Sequence, residues 1–191
     1  MIVRIIIVLI CVSFFINGCN SLISQFFGTH KLRSFAVEQA VRDGIGDSDY
    51  VQLEGAYLAN NFVYQESEYP NTPPIIIYPV LTDEQAAQHK AGQQVKPAFI
   101  AWSADFHSPC VDSLNCLQEG AQNVTGVVRD IPKDRLQGLE KLEAKGFAIT
   151  EEAQVINHGQ DPVPWYWNLM MMLGAAALAV GMEALYFKRQ R

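Results

Sequence analysis

The last long apolar run of the chain, from Leu169 to Phe187, constrains its architecture more than any other feature. As an α-helix these residues span about 28 Å, close to the thickness of the hydrocarbon core of a bilayer. Aromatic residues flank the run as they do at membrane interfaces, and basic residues follow at once. Positive charge beside a span stays in the cytoplasm. The pattern therefore predicts a transmembrane helix over 165–187, a cytoplasmic basic tail over 188–191, and an extracytoplasmic location for the residues before the helix.

One ionisable residue, Glu183, lies inside this run, near its cytoplasmic end. A carboxylate in the middle of a membrane marks a functional site by default. From this position, however, the side chain can reach the lipid headgroups or pair with Lys188. We therefore expect Glu183 to lie at the interface.

Small residues recur along the same run at a spacing of three and four positions, which places them on one helix face with Glu183 pointing away from it. Such a face lets another helix approach closely, which favours association inside a bilayer. The pattern predicts that the last helix packs against spans of other membrane-protein subunits. The residues of this small-residue face are Gly174, Ala177, Gly181 and Ala184.

The N-terminal segment 1–28 supports two interpretations. Arg4 precedes an apolar run from Ile5 to Ile16, which has the length of a signal peptide and is short for a span. The residues that end at Cys19 resemble a bacterial lipobox, in which the cysteine is lipidated after cleavage. Further apolar residues beyond Cys19 instead allow an uncleaved signal-anchor. Both interpretations place the middle of the chain on the extracytoplasmic side of the cell membrane, the inner membrane of a bacterium.

The charge balance bears on the kind of partner that the chain can bind. The formal net charge is −6, and the lysines and arginines of the middle segment form no stripe. Binding to a phosphate backbone requires clustered Lys and Arg, so the composition argues against nucleic acid as a partner. The acidic residues are scattered, which is typical of a solubilising surface.

Segment 34–157 has the pattern of one α+β domain. Gly55 within the first of its predicted strands indicates a bulge or a close approach, and Pro79 indicates an edge or bulged position. Five or six short strands interrupted by helices predict a small β-rich, barrel-like domain of the OB-like type. Short runs that are alternating or continuously apolar predict the strands at 50–58, 62–65, 75–81, 95–103, 124–129 and 147–156.

Three short helices are predicted between these strands. Ser34 is expected to cap the first, which Gly44 ends, and Thr82 opens the second with Gln85 three residues on, as in a capping box. The third follows Asp130 and carries leucines on one face before it ends at a glycine.

Two cysteines, Cys110 and Cys116, lie close together in a polar loop of this exported domain. The simplest expectation for such a pair is a disulfide. The alternative is a metal or redox site that also uses His107, because thiolates and imidazole suit copper or zinc. Three ligands are incomplete for structural zinc, and no further His or Cys stands at ligand spacing. We therefore expect no bound cofactor.

No catalytic motif stands out in the sequence. Ser103, Asp105 and His107 have the residue types of a hydrolase triad, but they lack a nucleophile elbow. His89 and His158 stand alone in polar segments, which predicts plain surface positions. The pattern favours a protein that is not an enzyme.

Several short stretches resemble the Surfeit-locus family of cytochrome oxidase assembly proteins, which place an extracytoplasmic β-rich domain between two membrane anchors. The resemblance implies a membrane-anchored, non-enzymatic accessory or assembly protein of a membrane complex. The alternative hypothesis is an extracytoplasmic metal or redox carrier that uses the loop containing the two cysteines and His107. The stretches that carry the resemblance are Val51 to Tyr57, Ile77 to Leu81, Ile100 to Trp102 and Val124 to Pro132.

Overall fold

The computed structural model describes residues 2–106 and 116–190, which form two compact units. One unit combines Met1–Lys31 with Pro162–Arg191, and the other is Leu32–Asp161. In chain order the elements are α1 (Ile2–Phe27), β1 (Arg33–Ala36), α2 (Val37–Asp43), β2 (Tyr50–Leu58), β3 (Val63–Gln65), β4 (Ile75–Leu81), α3 (Asp83–Lys90), β5 (Phe99–Ser103), β6 (Gly120–Val128), a 3₁₀ turn (Lys133–Arg135), α4 (Gln137–Glu143), β7 (Gln154–His158) and α5 (Trp165–Gln190).

The first unit is an antiparallel pair of long helices, α1 and α5. Both are long and apolar enough to cross a bilayer, over Arg4–Phe27 and Trp165–Lys188. Their outward side chains are open to the surroundings: Leu9 is 60% exposed and Val180 is 69% exposed. An apolar helix inside a soluble protein would bury such side chains. The unit therefore presents an apolar outer surface along both helices.

The second unit is a closed barrel of five strands in the order β2-β4-β5-β7-β6, with β6 returning to β2. The closure between β2 and β4 pairs Tyr57 with Leu81 and Leu58 with Val80. Neighbouring barrel strands are antiparallel except β5 and β7, which run parallel. Outside the barrel, β1 extends the sheet parallel to β2, and β3 pairs antiparallel with β4.

Two hydrophobic cores share the strands β4 and β5, whose residues are all buried. Alternate residues of these strands, among them Tyr78 and Phe99, fill the inside of the barrel. The intervening residues, among them Ile77 and Trp102, belong to a second core on the outer face with Phe147 of the segment after α4. Burial on both faces explains why these strands are continuously apolar rather than alternating.

Most of the predicted elements are confirmed, including the capping box between Thr82 and Gln85. The prediction that Ser34 caps a helix is wrong, because Ser34 lies in β1 and the helix starts at Val37. The predicted bulge at Gly55 is confirmed: the β2–β6 register shifts there, and Gly55 has a φ of 69°.

Pro79 lies inside the barrel sheet rather than on an edge strand. It pairs with Ile100 of β5 on one side. On the other side, β4 pairs with β3 through residues 75–77 and with β2 through residues 80–81. Because Pro79 has no N–H, it fits where β4 changes partner and no ladder bond is required.

Three strand boundaries also differ from the predicted ones. β5 begins at Phe99, because Val95 forms only an isolated bridge with Phe147. β7 begins at Gln154, after an irregular segment. β6 begins at Gly120 rather than at residue 124. The polar residues before 124 are typical of a loop, but here they belong to a solvent-accessible part of a strand paired with β2.

Candidate functional site

The parallel strands β5 and β7 end side by side, and a cleft of 680 Å³ opens at their carboxyl ends. Residues after β5, after β6 and at the end of β7 line it. A smaller cavity of 220 Å³ at the mouth of the barrel shares Ser103, Asp105 and His158 with this cleft. We call the larger space the β5–β7 cleft. It is the candidate functional site of the barrel unit.

His158 is the titratable group that links the cleft to the barrel interior. Its Nδ1 is hydrogen-bonded to the hydroxyl of Tyr78, which is fully buried. Burial lowers the pKa of His158, and the nearby Asp105 carboxylate opposes that shift. Burial also raises the pKa of Tyr78 well above its ordinary value. Both groups are therefore neutral at pH 7, and the hydrogen bond between them joins two uncharged side chains.

Ser103 is buried beside this pair, but its hydroxyl serves the local backbone. Its Oγ accepts the backbone N–H of Asp105 at 3.1 Å. Among the described residues it makes no hydrogen bond to His158, so the structure shows no nucleophile–base pair there. His107, the third residue of the triad considered from the sequence, lies outside the described residues.

Asn157 is the most buried polar side chain of the cleft apart from Ser103. It is 7% exposed, and its amide has no hydrogen-bond partner among the described residues. Its neighbour across the parallel pair is Trp102, whose Nε1 donates to the backbone oxygen of Arg129 at 3.1 Å. That bond holds the loop after β6 against the end of β5. The cleft thus combines a hydrogen-bonded wall with an amide that has no hydrogen-bond partner within residues 2–106 and 116–190.

The predicted cysteine loop is only partly described. Cys116 packs against the barrel core and lines the smaller cavity. Cys110 and His107 lie outside the described residues, so the disulfide and the metal site that use them stay predictions. Within the described ranges, no group of three His, Cys, Asp or Glu side chains could hold a metal ion.

Two histidines that the sequence assigned to the surface have defined partners. His158 is half-buried against Tyr78, and the alternation of β7 could have revealed it, because Ile156 of that strand points into the barrel. His89 is hydrogen-bonded to Asn61 at 2.7 Å and stacks on Phe147 with ring centroids 4.3 Å apart. That contact arises from tertiary packing and has no local sequence signal.

In the helix pair, Glu183 contacts Arg4 of α1 rather than Lys188. Arg4 Nε donates to Glu183 Oε1 at 2.8 Å, and the guanidinium also lies 4.0 Å from the ring centroid of Tyr186. Of the two alternatives considered for Glu183, the structure does not show pairing with Lys188, and the interfacial position stays a prediction. Lys188 is exposed, whereas Arg4 reaches Glu183 because the antiparallel helices bring the start of α1 to the end of α5.

Cys19, the predicted lipidation site, lies within the unbroken helix α1, where its Sγ is 3.2 Å from Met172 Sδ. One residue earlier, Gly18 is the point of close approach: a Cβ at this position would lie 3.0 Å from the backbone oxygen of Asn168. Gly18, Asn168 and Met172 therefore define the contact line between the helices.

The predicted small-residue face of α5 lies away from α1. The α5 side chains that are buried or half-buried include Asn168, Met172, Ala175 and Glu183. The small-residue face is instead exposed, and a Cβ added at either of its glycines would meet no atom within 4 Å. The residues of this face are Gly174, Ala177, Gly181 and Ala184.

Comparison of the chain with protein-family models, curated proteins and solved structures gives no significant match.

Proposed function

We propose that the chain is a membrane-anchored, non-enzymatic accessory or assembly protein of a membrane complex. Both long helices cross the inner membrane as an uncleaved hairpin, with both ends cytoplasmic and an extracytoplasmic barrel between them. The observation that carries this proposal is the division of α5 into two faces. One face contacts α1, and the opposite small-residue face is exposed and free for the helix of another subunit.

The charges of the helix pair support this orientation. Arg4 pairs with Glu183, and the exposed Lys188 lies one turn farther along α5. All three charges are thus at one end of the hairpin, where the positive-inside rule assigns them to the cytoplasm. The aromatic residues Trp165, Tyr166 and Trp167 begin α5 at the other end, as residues at an outer interface do.

The barrel unit is of the OB-like type in this proposal. A closed barrel of five short strands with a crossover is the arrangement of that class. In this chain the outer face over β4 and β5 is covered by its own second core. Docking to a partner therefore uses other surfaces of the barrel. The Surfeit resemblance implies the same kind of role for the protein.

The test is affinity purification of the tagged chain from its own membranes in mild detergent, comparing the wild type with Gly174→Leu and Gly181→Leu. We expect discrete integral membrane proteins to co-purify with the wild type and to be lost with both variants. Phe187→Trp is the matched control, because it enlarges an exposed side chain about 100° around α5 from the centre of the small-residue face.

Recovery of the wild-type chain alone would contradict the proposal. Recovery of the same partners with the leucine variants would show that the small-residue face is not used. The metal-carrier alternative, which uses His107, Cys110 and Cys116, stays a prediction. Metal analysis and thiol counting on the same preparation test it: a bound equivalent of copper or zinc would support that alternative.

A further inference from the structure

The β5–β7 cleft has the features of a binding site for a small molecule, separate from the helix pair that carries the proposed function. Its volume of 680 Å³ falls in the range of small-ligand sites. Asn157 is more than nine-tenths buried at its wall, and its amide has no hydrogen-bond partner among the described residues. Neither amide atom of Asn157 is shielded from solvent, so the amide can bond to water or to a ligand in the cleft.

Charged side chains of both signs line the same cleft, and all four are exposed. Arg129 and Lys133 on the loop after β6 supply two cations, and Asp105 and Asp130 supply two carboxylates. Among the described residues, none of these four side chains takes part in an ion pair. The cleft therefore presents opposite charges that do not neutralise one another directly.

The neutral imidazole of His158, whose Nδ1 is bonded to the Tyr78 hydroxyl, completes the polar lining. The formal charge of the cleft is then zero, from two cations and two carboxylates. A simple anion would be repelled by the carboxylates, and a simple cation by Arg129 and Lys133. A molecule that carries both charges can pair with the two cations and with the two carboxylates of the cleft.

We propose that the β5–β7 cleft binds a small zwitterion of the amino-acid class, which presents a carboxylate and an ammonium in one molecule. Arg129, Lys133 and the Asn157 amide take the carboxylate, because guanidinium and amide donors match its oxygens. Asp105 and Asp130 take the ammonium group.

The experiment is calorimetric titration of the full chain in detergent micelles with each of the free proteinogenic α-amino acids. Any amino acid that binds is then compared with its N-acetyl derivative, which lacks the ammonium, and with its carboxamide, which lacks the carboxylate. We expect each derivative to bind about tenfold or more weakly, because each loses a charge-assisted contact.

Two variants test separately the contacts to the carboxylate and to the ammonium of the ligand. Arg129→Gln should weaken binding of the free amino acid by about tenfold and leave binding of the carboxamide unchanged. Asp130→Asn should weaken binding of the free amino acid by a similar factor and leave binding of the N-acetyl derivative unchanged. Both positions are exposed, so neither variant should unfold the barrel. Arg42→Gln, which alters an exposed arginine on α2, is the matched control.

The proposal is overturned if no free amino acid binds, or if the two derivatives bind as well as the parent molecule. It is also overturned if Arg129→Gln and Asp130→Asn bind like the Arg42→Gln control. None of these results bears on the proposed accessory function, which depends on the small-residue face of α5.

Discussion

Arg4 and Glu183 are separated by 179 positions and form an ion pair between the first and last helices. Arg4 Nε donates to Glu183 Oε1 at 2.8 Å, and a second contact joins Nη2 to Oε2, so the pair is bidentate. The Tyr186 ring supports the guanidinium from the next turn of α5. A bidentate pair fixes geometry as well as charge, so this contact sets the register of the two helices.

Removing one member of this pair should loosen the helix hairpin more than removing both. Glu183→Gln leaves Arg4 without its counter-ion, and Arg4→Gln leaves the carboxylate alone, in a pair that is about one-third exposed. We expect each single variant to lower the thermal midpoint of the detergent-solubilised protein, and the double variant to recover most of the loss. If the loss in the double variant equals the sum of the two single losses, the two side chains are not coupled.

Gly18 should tolerate no large side chain. A Cβ there would lie 3.0 Å from the Asn168 oxygen and 3.1 Å from Met172 Cβ, so Gly18→Leu would force the helices apart. Disulfide cross-linking of Cys19 with Met172→Cys measures the proximity of the helices, because the side chains at these two positions are in contact. We expect rapid cross-linking when Gly18 is retained and little with Gly18→Leu. Gly181→Leu, on the exposed face, is the control and should not slow the reaction.

Gly126 should be equally intolerant in the barrel. A Cβ at this position would lie 2.1 Å from the backbone oxygen of Asn157, so Gly126→Ala must separate β6 from β7. We expect a loss of about 3 kcal/mol in the free energy of unfolding, measured by chemical denaturation. Ala121→Ser, at an exposed position of the same strand, should change it by about 0.5 kcal/mol or less. A loss of that small size for Gly126→Ala would contradict the strand pairing.

The stability of the barrel should rise with pH across the ordinary titration range of histidine. Burial lowers the pKa of native His158, so the unfolded chain binds more protons than the native protein below about pH 6.5. Stability is therefore lost as the pH falls below about 6.5, the ordinary pKa of histidine. Hydrogen exchange of the barrel amides at several pH values measures this loss.

His158→Gln should flatten that pH dependence, because no imidazole remains to be protonated. Asp105→Asn should steepen it, because the carboxylate that favours the protonated ring is gone. The Tyr78 hydroxyl, the other titratable group against His158, has a raised pKa and stays neutral throughout this range. An unchanged slope in His158→Gln would assign the pH dependence to other groups.

Local patterns predicted much of this architecture. The apolar length of 165–187 and the basic residues after it indicated the last helix, and the capping box at Thr82 located α3. The short apolar runs at 50–58 and 75–81 match β2 and β4. These features depend on residues close together in the chain, so one sequence is enough to detect them.

The pairings between distant segments could not be predicted in the same way. Nothing near Glu183 indicates Arg4 as its partner, because the contact depends on the antiparallel arrangement of two helices. The cleft likewise assembles Asp105, Arg129 and Asn157 from three segments that the barrel topology brings together. Such a site has no spacing that a sequence motif could capture.

We expect α1 and α5 to form an uncleaved hairpin whose two ends face the cytoplasm. Protease treatment of intact spheroplasts tests it directly, with one epitope tag at each end of the chain. We expect both tags to be protected until the membrane is permeabilised, while the barrel is cleaved from outside. Loss of the N-terminal tag from the mature protein, or its digestion in intact spheroplasts, would contradict the hairpin and favour processing at Cys19.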